Sequence, residues 1–273
     1  GGSSFCPNPI GTQVCVTLTC PLVPSIDSQN PVTCNGAANG DVTLAVANAT
    51  GLVTYQQTIP VAGAPQASPT FNGLVAGTYT FEIADAGEAC SVLQNVTITE
   101  PSALTVTAVA VDVLCNGAST GTATVTPSGG TPSYSFLWSD LQITNPATGL
   151  AAGTYTITVS DLNNCTATSS ITISEPSAIS VTTATVDALC FSGTDGAATA
   201  TASGGTGALS YLWDDGLAQT TLTATGLAAN IYNVMVTDAN GCTTTQTATV
   251  GQPSAGIALA MTSTTAICFG SAD

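Results

Sequence analysis

Apolar residues alternating with hydroxylated ones, clusters of turn residues at short intervals, and a motif series that recurs every 75–81 residues predict an all-β chain. The expected architecture is a set of tandem β-sandwich repeats of about 75–80 residues each, forming an elongated array. No window carries helical periodicity.

The recurrence begins with Cys34-Asn35-Gly36, Cys115-Asn116-Gly117, Cys190-Phe191-Ser192-Gly193 and Cys268-Phe269-Gly270, at intervals of 81, 75 and 78 residues. Downstream, Gly73-Leu74-Val75-Ala76-Gly77-Thr78-Tyr79 returns at 149–155 and, altered, at 226–232. An Asp stands six residues after each Tyr (Asp85, Asp161, Asp238), a Cys follows it (Cys90, Cys165, Cys242), and Glu100-Pro101, Glu175-Pro176 and Gln252-Pro253 close the units. These marks give repeats at 25–101, 102–176 and 177–253. Residues 1–24 form a Cys-containing N-terminal segment that reads as the end of a preceding repeat, and 254–273 start a fourth. The array is expected to continue in a longer chain or a neighbouring subunit. No charged and apolar leader opens at Gly1, so a targeting signal is expected to have been removed or to lie elsewhere.

In repeat two the strands are expected in order near 103–113, 121–127, 133–139, 142–149, 153–160 and 166–173. Thr and Val favour a pleated, half-buried surface, while Asn-Gly and Ser-Gly-Gly-Thr clusters supply the turns between strands. In the segment 153–160, Tyr155, Ile157 and Val159 take one face and Thr154, Thr156 and Thr158 the other. Tyr134, Phe136 and Trp138 alternate in 133–139, and Tyr211 with Trp213 fills the same place in repeat three. Six or seven short strands in such a unit make an immunoglobulin-like β-sandwich. Trp138 and Trp213 fit its buried tryptophan, and Tyr79, Tyr155 and Tyr232 fit the tyrosine at the start of strand F. These five aromatics are the expected structural core. Repeat one has only Tyr55 at the tryptophan segment, so its core should pack differently.

A sandwich this small, rich in Ala and Thr, buries little apolar area and is expected to need covalent support. Ten cysteines supply it, and their repeat phase implies disulfides and an oxidising, extracytoplasmic setting. The candidates are Cys34, Cys90, Cys115, Cys165, Cys190 and Cys242. Pairing within repeats joins Cys34 to Cys90, Cys115 to Cys165 and Cys190 to Cys242. Pairing across junctions joins Cys90 to Cys115, Cys165 to Cys190 and Cys242 to Cys268, with steadier spacings of 25, 25 and 26 residues against 56, 50 and 52. Steady spacing also results if insertions fall elsewhere, and the within-repeat scheme is the working expectation.

The 273 residues hold 16 carboxylates and no Lys, Arg or His, for a net charge of -16. Nucleic acid is excluded as a partner, because nothing here neutralises phosphate. No imidazole base, Schiff-base lysine or guanidinium clamp exists, so no enzyme is expected. The chain is 44% hydrophobic, yet no stretch approaches the about 18 uninterrupted apolar residues of a membrane-spanning helix. Unpaired carboxylates leave one cofactor to consider, Ca2+. Asp161-Leu162-Asn163-Asn164 and Asp238-Ala239-Asn240-Gly241 offer oxygens on one loop, Asp85 stands in the matching place, and Glu100 or Glu175 could approach the same junction. The competing reading of these loops is an Asx turn at a strand end.

The series Cys-Asn-Gly, Ser-Gly-Gly-Thr-Pro-Ser-Tyr-Ser-Phe-Leu-Trp-Ser (128–139), Leu-Ala-Ala-Gly-Thr-Tyr-Thr-Ile-Thr-Val-Ser-Asp (150–161) and Ile-Ser-Glu-Pro (173–176) resembles the SprB-type repeat of giant cell-surface adhesins in gliding Bacteroidota. The resemblance covers 34–253, cleanly in copies two and three and less so in copy one, which lacks the Trp and the Gly-Gly-Thr turn. It implies type IX secretion, an extracellular location at the bacterial cell surface, and outer-membrane export and gliding machinery as partners. The expected function is a structural stalk or filament segment of a large adhesin, with neighbouring repeats or copies of the same protein as its contacts. Uniform negative charge opposes fibre collapse, and trypsin-like proteases have no cleavage site. The alternatives are direct binding of glycans or extracellular surfaces through loops such as 128–132 and 203–207, and a self-assembling extracellular filament subunit.

Overall fold

The computed structural model describes residues 20–254, which form strands and no helix. Strands β1 (Val23–Asn30), β2 (Gly40–Ala47), β3 (Val53–Ile59), β4 (Thr70–Leu74), β5 (Gly77–Asp85) and β6 (Cys90–Ile98) make two antiparallel sheets, ordered β1-β2-β4 and β3-β5-β6. The pattern repeats in β7 (Thr105–Val111), β8 (Gly121–Ser128), β9 (Ser135–Trp138), β10 (Ala147–Leu150), β11 (Gly153–Ser160) and β12 (Thr166–Ile173), ordered β7-β8-β10 and β9-β11-β12. It returns in β13 (Ser180–Val186), β14 (Gly196–Ser203), β15 (Ser210–Trp213), β16 (Thr223–Leu227), β17 (Asn230–Thr237) and β18 (Thr243–Val250), ordered β13-β14-β16 and β15-β17-β18. Each set is an immunoglobulin-like sandwich with strand D left out. The chain is all-β, built of tandem immunoglobulin-like repeats.

Five of the six strands expected in repeat two coincide closely with β7, β8, β9, β11 and β12. The segment 142–149 differs, since only Ala147–Leu150 pairs. Before it, Trp138 uses the loop as its polar partner, donating from its backbone N–H to the Gln142 carbonyl (2.9 Å) and from its indole N–H to the Thr144 carbonyl (3.0 Å).

By contacts the chain falls into two compact units. The first holds the described residues up to Val109 with Ala123–Ala147 and Tyr155–Ile171, and the second holds Ala110–Thr122, Thr148–Thr154 and the described residues from Thr172 on. In the first unit, Val42 and Leu44 of β2 and Leu74 of β4 pack against Tyr55, Tyr79, Phe81, Ile83, Val96 and Ile98 of the facing sheet. In the second, Ala198 and Ala200 of β14 with Ala224 and Leu227 of β16 pack against Trp213, Val234, Val236, Ala248 and Val250. Tyr79 and both tryptophans are buried, while Tyr155 and Tyr232 are half-buried. The Tyr79 hydroxyl donates to the Val75 carbonyl (2.9 Å) and that of Tyr232 to the Ala228 carbonyl (3.0 Å), each four residues upstream. These are the corner bonds expected of a strand-F tyrosine.

Repeat one does pack differently, and the register shows how. Trp138 stands opposite Ile157 and Trp213 opposite Val234, whereas Gln57 stands opposite Phe81. The large ring has crossed from the third strand to the fifth, where Phe81 meets Phe71 at 4.5 Å between ring centroids. Gln57 keeps the polar half of the tryptophan's task, donating its side-chain amide to the Val61 carbonyl (3.1 Å) in the same loop.

Candidate functional site

The chemistry-bearing residues gather at the two ends of each sandwich. At one end lies the turn after the first strand. In Cys34-Asn35-Gly36 the Ala37 N–H donates to the Cys34 carbonyl (3.0 Å), and Gly36 takes a φ of 73°, which glycine adopts at little cost. The closing Glu-Pro clasps this turn. The Gly36 N–H donates to Glu100 Oε2 (2.7 Å), and the Asn35 amide donates to the Pro101 carbonyl (3.1 Å). Glu175 and Pro176 do the same for Gly117 (2.6 Å) and Asn116 (3.1 Å). The last strand ends here too, since the Val32 N–H donates to the Thr99 carbonyl (3.1 Å) and that of Val113 to Ser174 (3.0 Å).

At the other end lies the loop between the fifth and sixth strands, organised around a buried aspartate. Asp161 Oδ1 accepts the N–H groups of Asn163 (2.9 Å) and Cys165 (2.8 Å), while Oδ2 accepts that of Thr131 (2.8 Å). Asp238 repeats this with Asn240 (2.9 Å), Cys242 (2.9 Å) and Thr206 (2.8 Å). Asp85 accepts from Thr50 (2.7 Å) and Gly87 (2.8 Å). The loops 128–132 and 203–207 are spent on these internal bonds, and Gly130 and Gly205 also donate to the Ser102 and Ser177 carbonyls.

The N–H groups stabilise the charged carboxylate. For Asp161 the Thr131 N–H is the largest influence and holds the carboxyl below its usual range against the opposing effect of burial. For Asp238 burial pushes up most strongly, but the N–H groups of Thr206, Cys242, Asn240 and Gly241 together outweigh it. Asp85 is lowered first by Thr50 and then by Gly87. A carboxylate with a lowered folded pKa contributes stability that is complete above its unfolded value, about 3.9, and is lost as pH falls through the folded value. The melting temperature is therefore expected to hold steady from pH 7 to about 4.5 and to fall below about pH 4. Asp161→Ala should lower it by several degrees at pH 7 and weaken the acid dependence. A melting temperature that stays flat to pH 3 would refute the assignment.

The two kinds of end are joined covalently. Cys34 bonds Cys165 with Cα atoms 5.7 Å apart, and Cys115 bonds Cys242 at 5.6 Å, both ordinary disulfide spans. The Asn163 amide donates to the Thr33 carbonyl (3.1 Å), and Cys165 Sγ lies 3.4 Å from the same oxygen. Asn240 and Cys242 repeat this on the Leu114 carbonyl at 3.0 and 3.4 Å. Cys20, ahead of β1, bonds Cys90 of the first sandwich. Among the described residues, Cys190 is the cysteine outside a disulfide.

Neither expected pairing scheme is the one found. Cys34 does not bond Cys90, nor Cys115 Cys165, nor Cys190 Cys242, because the two cysteines of one sandwich lie at opposite ends of its last strand. That strand, nine residues in β6, spans about 30 Å. The junction scheme of Cys90 with Cys115 and Cys165 with Cys190 fails because it pairs entry ends with exit ends one repeat out of phase. Cys268 lies outside the described residues. The partners the sequence reading missed are Cys20 and the Thr33 and Leu114 carbonyls. Glu100 and Glu175 accept from the Gly36 and Gly117 N–H groups, each in the turn that bears a disulfide. Among the described residues no group of three or more Asp, Glu, Cys or His side chains is placed to hold a metal ion.

Several solved structures match the chain at low identity. The three N-terminal domains of the highly immunogenic outer capsid protein of bacteriophage RB49 match at 15% identity, over 85% of this chain and 99% of that one, with a TM-score of 0.43. The N-terminal eight immunoglobulin domains of Down syndrome cell adhesion molecule match at 11%, over 85% and 36%, with a TM-score of 0.39. A C-terminal fragment of intimin in complex with its translocated receptor's binding domain matches at 18%, over 57% and 66%, with a TM-score of 0.31. No curated protein matches the chain. The family model for the SprB repeat matches this chain at three places, 26–60, 107–143 and 182–218, once in each sandwich.

Proposed function

We propose that this chain is a structural stalk or filament segment of a large secreted cell-surface adhesin of the gliding-motility type. The observation that carries this reading is the joint. A turn at the exit end of one sandwich is bonded through a disulfide to the aspartate loop at the entry end of the next, at Cys34–Cys165 and again at Cys115–Cys242. Such links make each sandwich answer to its neighbours, and an array grows by adding repeats without redesigning a core. Disulfides of this number fit an oxidising compartment outside the cytoplasm. The SprB repeats support an adhesin-type repeat region, and the coupling to a motor and export by the type IX route rest on the family resemblance. The absence of Lys and Arg supports protease resistance, and the net charge of -16 keeps neighbouring fibres apart beyond a Debye length of about 8 Å.

The test uses the oxidised chain in calcium-containing buffer, with light scattering, electron micrographs and binding to immobilised glycans and to glass. A monomer without saturable binding is expected for a passive segment. Saturable binding would place adhesion in these residues, and regular filaments would make the chain an assembling subunit. Either result would overturn the stalk reading.

A further inference from the structure

The turn of the third sandwich is built like the two that carry joints, although its sequence departs from theirs. Leu189-Cys190-Phe191-Ser192-Gly193 replaces Cys-Asn-Gly, and Phe191 cannot make the bond that Asn35 and Asn116 give to the closing proline carbonyl, yet three other locks are present. The Gly193 N–H donates to the Cys190 carbonyl (2.9 Å), as Ala37 does to Cys34 and Ala118 to Cys115. The Ser192 N–H donates to Gln252 Oε1 (2.7 Å), where Glu100 and Glu175 clasp the other turns. The Leu189 N–H donates to Asp195 Oδ1 (3.1 Å), where Thr33 uses Asn39 (3.0 Å) and Leu114 uses Thr120 (3.3 Å). Ser192 takes a φ of 61°, close to the 73° of Gly36 and Gly117, and does so without glycine's freedom. A turn with a strained serine, held by these three backbone N–H bonds, keeps the geometry that receives a neighbour at the other two turns.

What differs is occupancy. The Thr33 and Leu114 carbonyls each receive an asparagine amide, and Cys34 and Cys115 each receive a sulfur. Cys190 is exposed and outside any disulfide among the described residues, Leu189 is 78% exposed, and Phe191 is 50% exposed.

We propose that the Leu189–Gly193 turn is a third joint, and that its occupant is the aspartate loop, Asp-x-Asn-x-Cys, of a further SprB repeat following in the same chain. The loop's asparagine amide would donate to the Leu189 carbonyl, and its cysteine would bond Cys190. The two thiols lose their protons, an Sγ–Sγ bond forms, and the two electrons pass to a disulfide oxidant, which is reduced to two thiols. The inference rests on the tandem-array reading and names the partner of its open end.

The experiment compares the full chain with a version in which a second copy of residues 177–253 is inserted after residue 253. Both are oxidised with glutathione disulfide, labelled with a maleimide, and mapped by peptide mass spectrometry. Cys190 should label in the first and be protected in the second, where a peptide should link it to the inserted copy of Cys242. Cys190→Ser in the longer chain should leave that inserted cysteine reactive. Continued labelling of Cys190 in the longer chain, or its bonding to Cys268 or to a second molecule, would overturn the proposal. Failure of the array reading itself would look different, as loss of the Cys34–Cys165 and Cys115–Cys242 peptides from both maps.

Discussion

Pulled by its ends, the oxidised chain should extend between Cys20 and Cys242 by no more than residues 90–115 allow, about 90 Å at roughly 3.5 Å per residue. The three disulfides overlap in sequence like links of mail. Cys20–Cys90 encloses Cys34, Cys34–Cys165 encloses Cys90 and Cys115, and Cys115–Cys242 encloses Cys165. The shortest covalent route therefore runs through the first bond, along 90–115, and out through the third. Reduction removes these shortcuts, and the same pull should release roughly 700 Å more. Single-molecule force spectroscopy with and without dithiothreitol reads this directly. Long unfolding steps in the oxidised chain would show that the bonds are absent or differently paired. The same topology constrains the unfolded ensemble, since each joint closes a loop of more than a hundred residues, for which the chain-entropy estimate is about 5 kcal/mol.

This linkage was invisible in the sequence for a reason that the strand directions expose. Within-repeat pairing requires that Cys34 and Cys90 lie at the same end of the sandwich, as strict strand-by-strand reversal would place them. In the fold, β3 runs antiparallel to β5 and β4 antiparallel to β2, so β3 and β4 both head toward the Cys34 turn. The chain between Ile59 and Thr70 crosses back without contributing a full strand, and that crossing moves Cys90 to the far end. A pattern of alternation reports which residues are strands and which face is buried, as Tyr155, Ile157 and Val159 show, but it carries no sign for direction. The Asx character of Asp161 and Asp238 was legible, because a short acceptor followed by Asn and a turn satisfies local N–H groups wherever the loop lies. The clasp by Glu100 was not, since its partner Gly36 lies far away in sequence.

Replacing Trp213 with Ala should cost about 3–5 kcal/mol and lower the melting temperature of the third sandwich by about 12–40 °C. Trp213 is 1% exposed, and the residues facing it are small, with Ala198 and Ala200 on β14 and Ala224 on β16. Small neighbours cannot collapse into the space an indole leaves, so the cavity term should be near its upper range. In the first sandwich the corresponding β2 positions are Val42 and Leu44, and the ring volume comes from Phe81. Phe81→Ala should therefore be the equivalent loss there. Gln57→Ala, although it alters the tryptophan's own position, should cost only about 1 kcal/mol for a hydrogen bond. Putting an indole at Gln57 should not help, because Phe81 and Leu44 already fill the layer and overpacking costs about 1–3 kcal/mol. Trp138 is the other tryptophan in the chain, so in the Trp213→Ala variant its fluorescence reports the second sandwich separately while circular dichroism follows the whole. Calorimetry should resolve an early transition with Trp138 emission still native. A cost below about 1 kcal/mol for Trp213→Ala, or a Gln57→Ala variant as damaged as Phe81→Ala, would show that the ring and its polar contact had not been divided between the two strands as the register indicates.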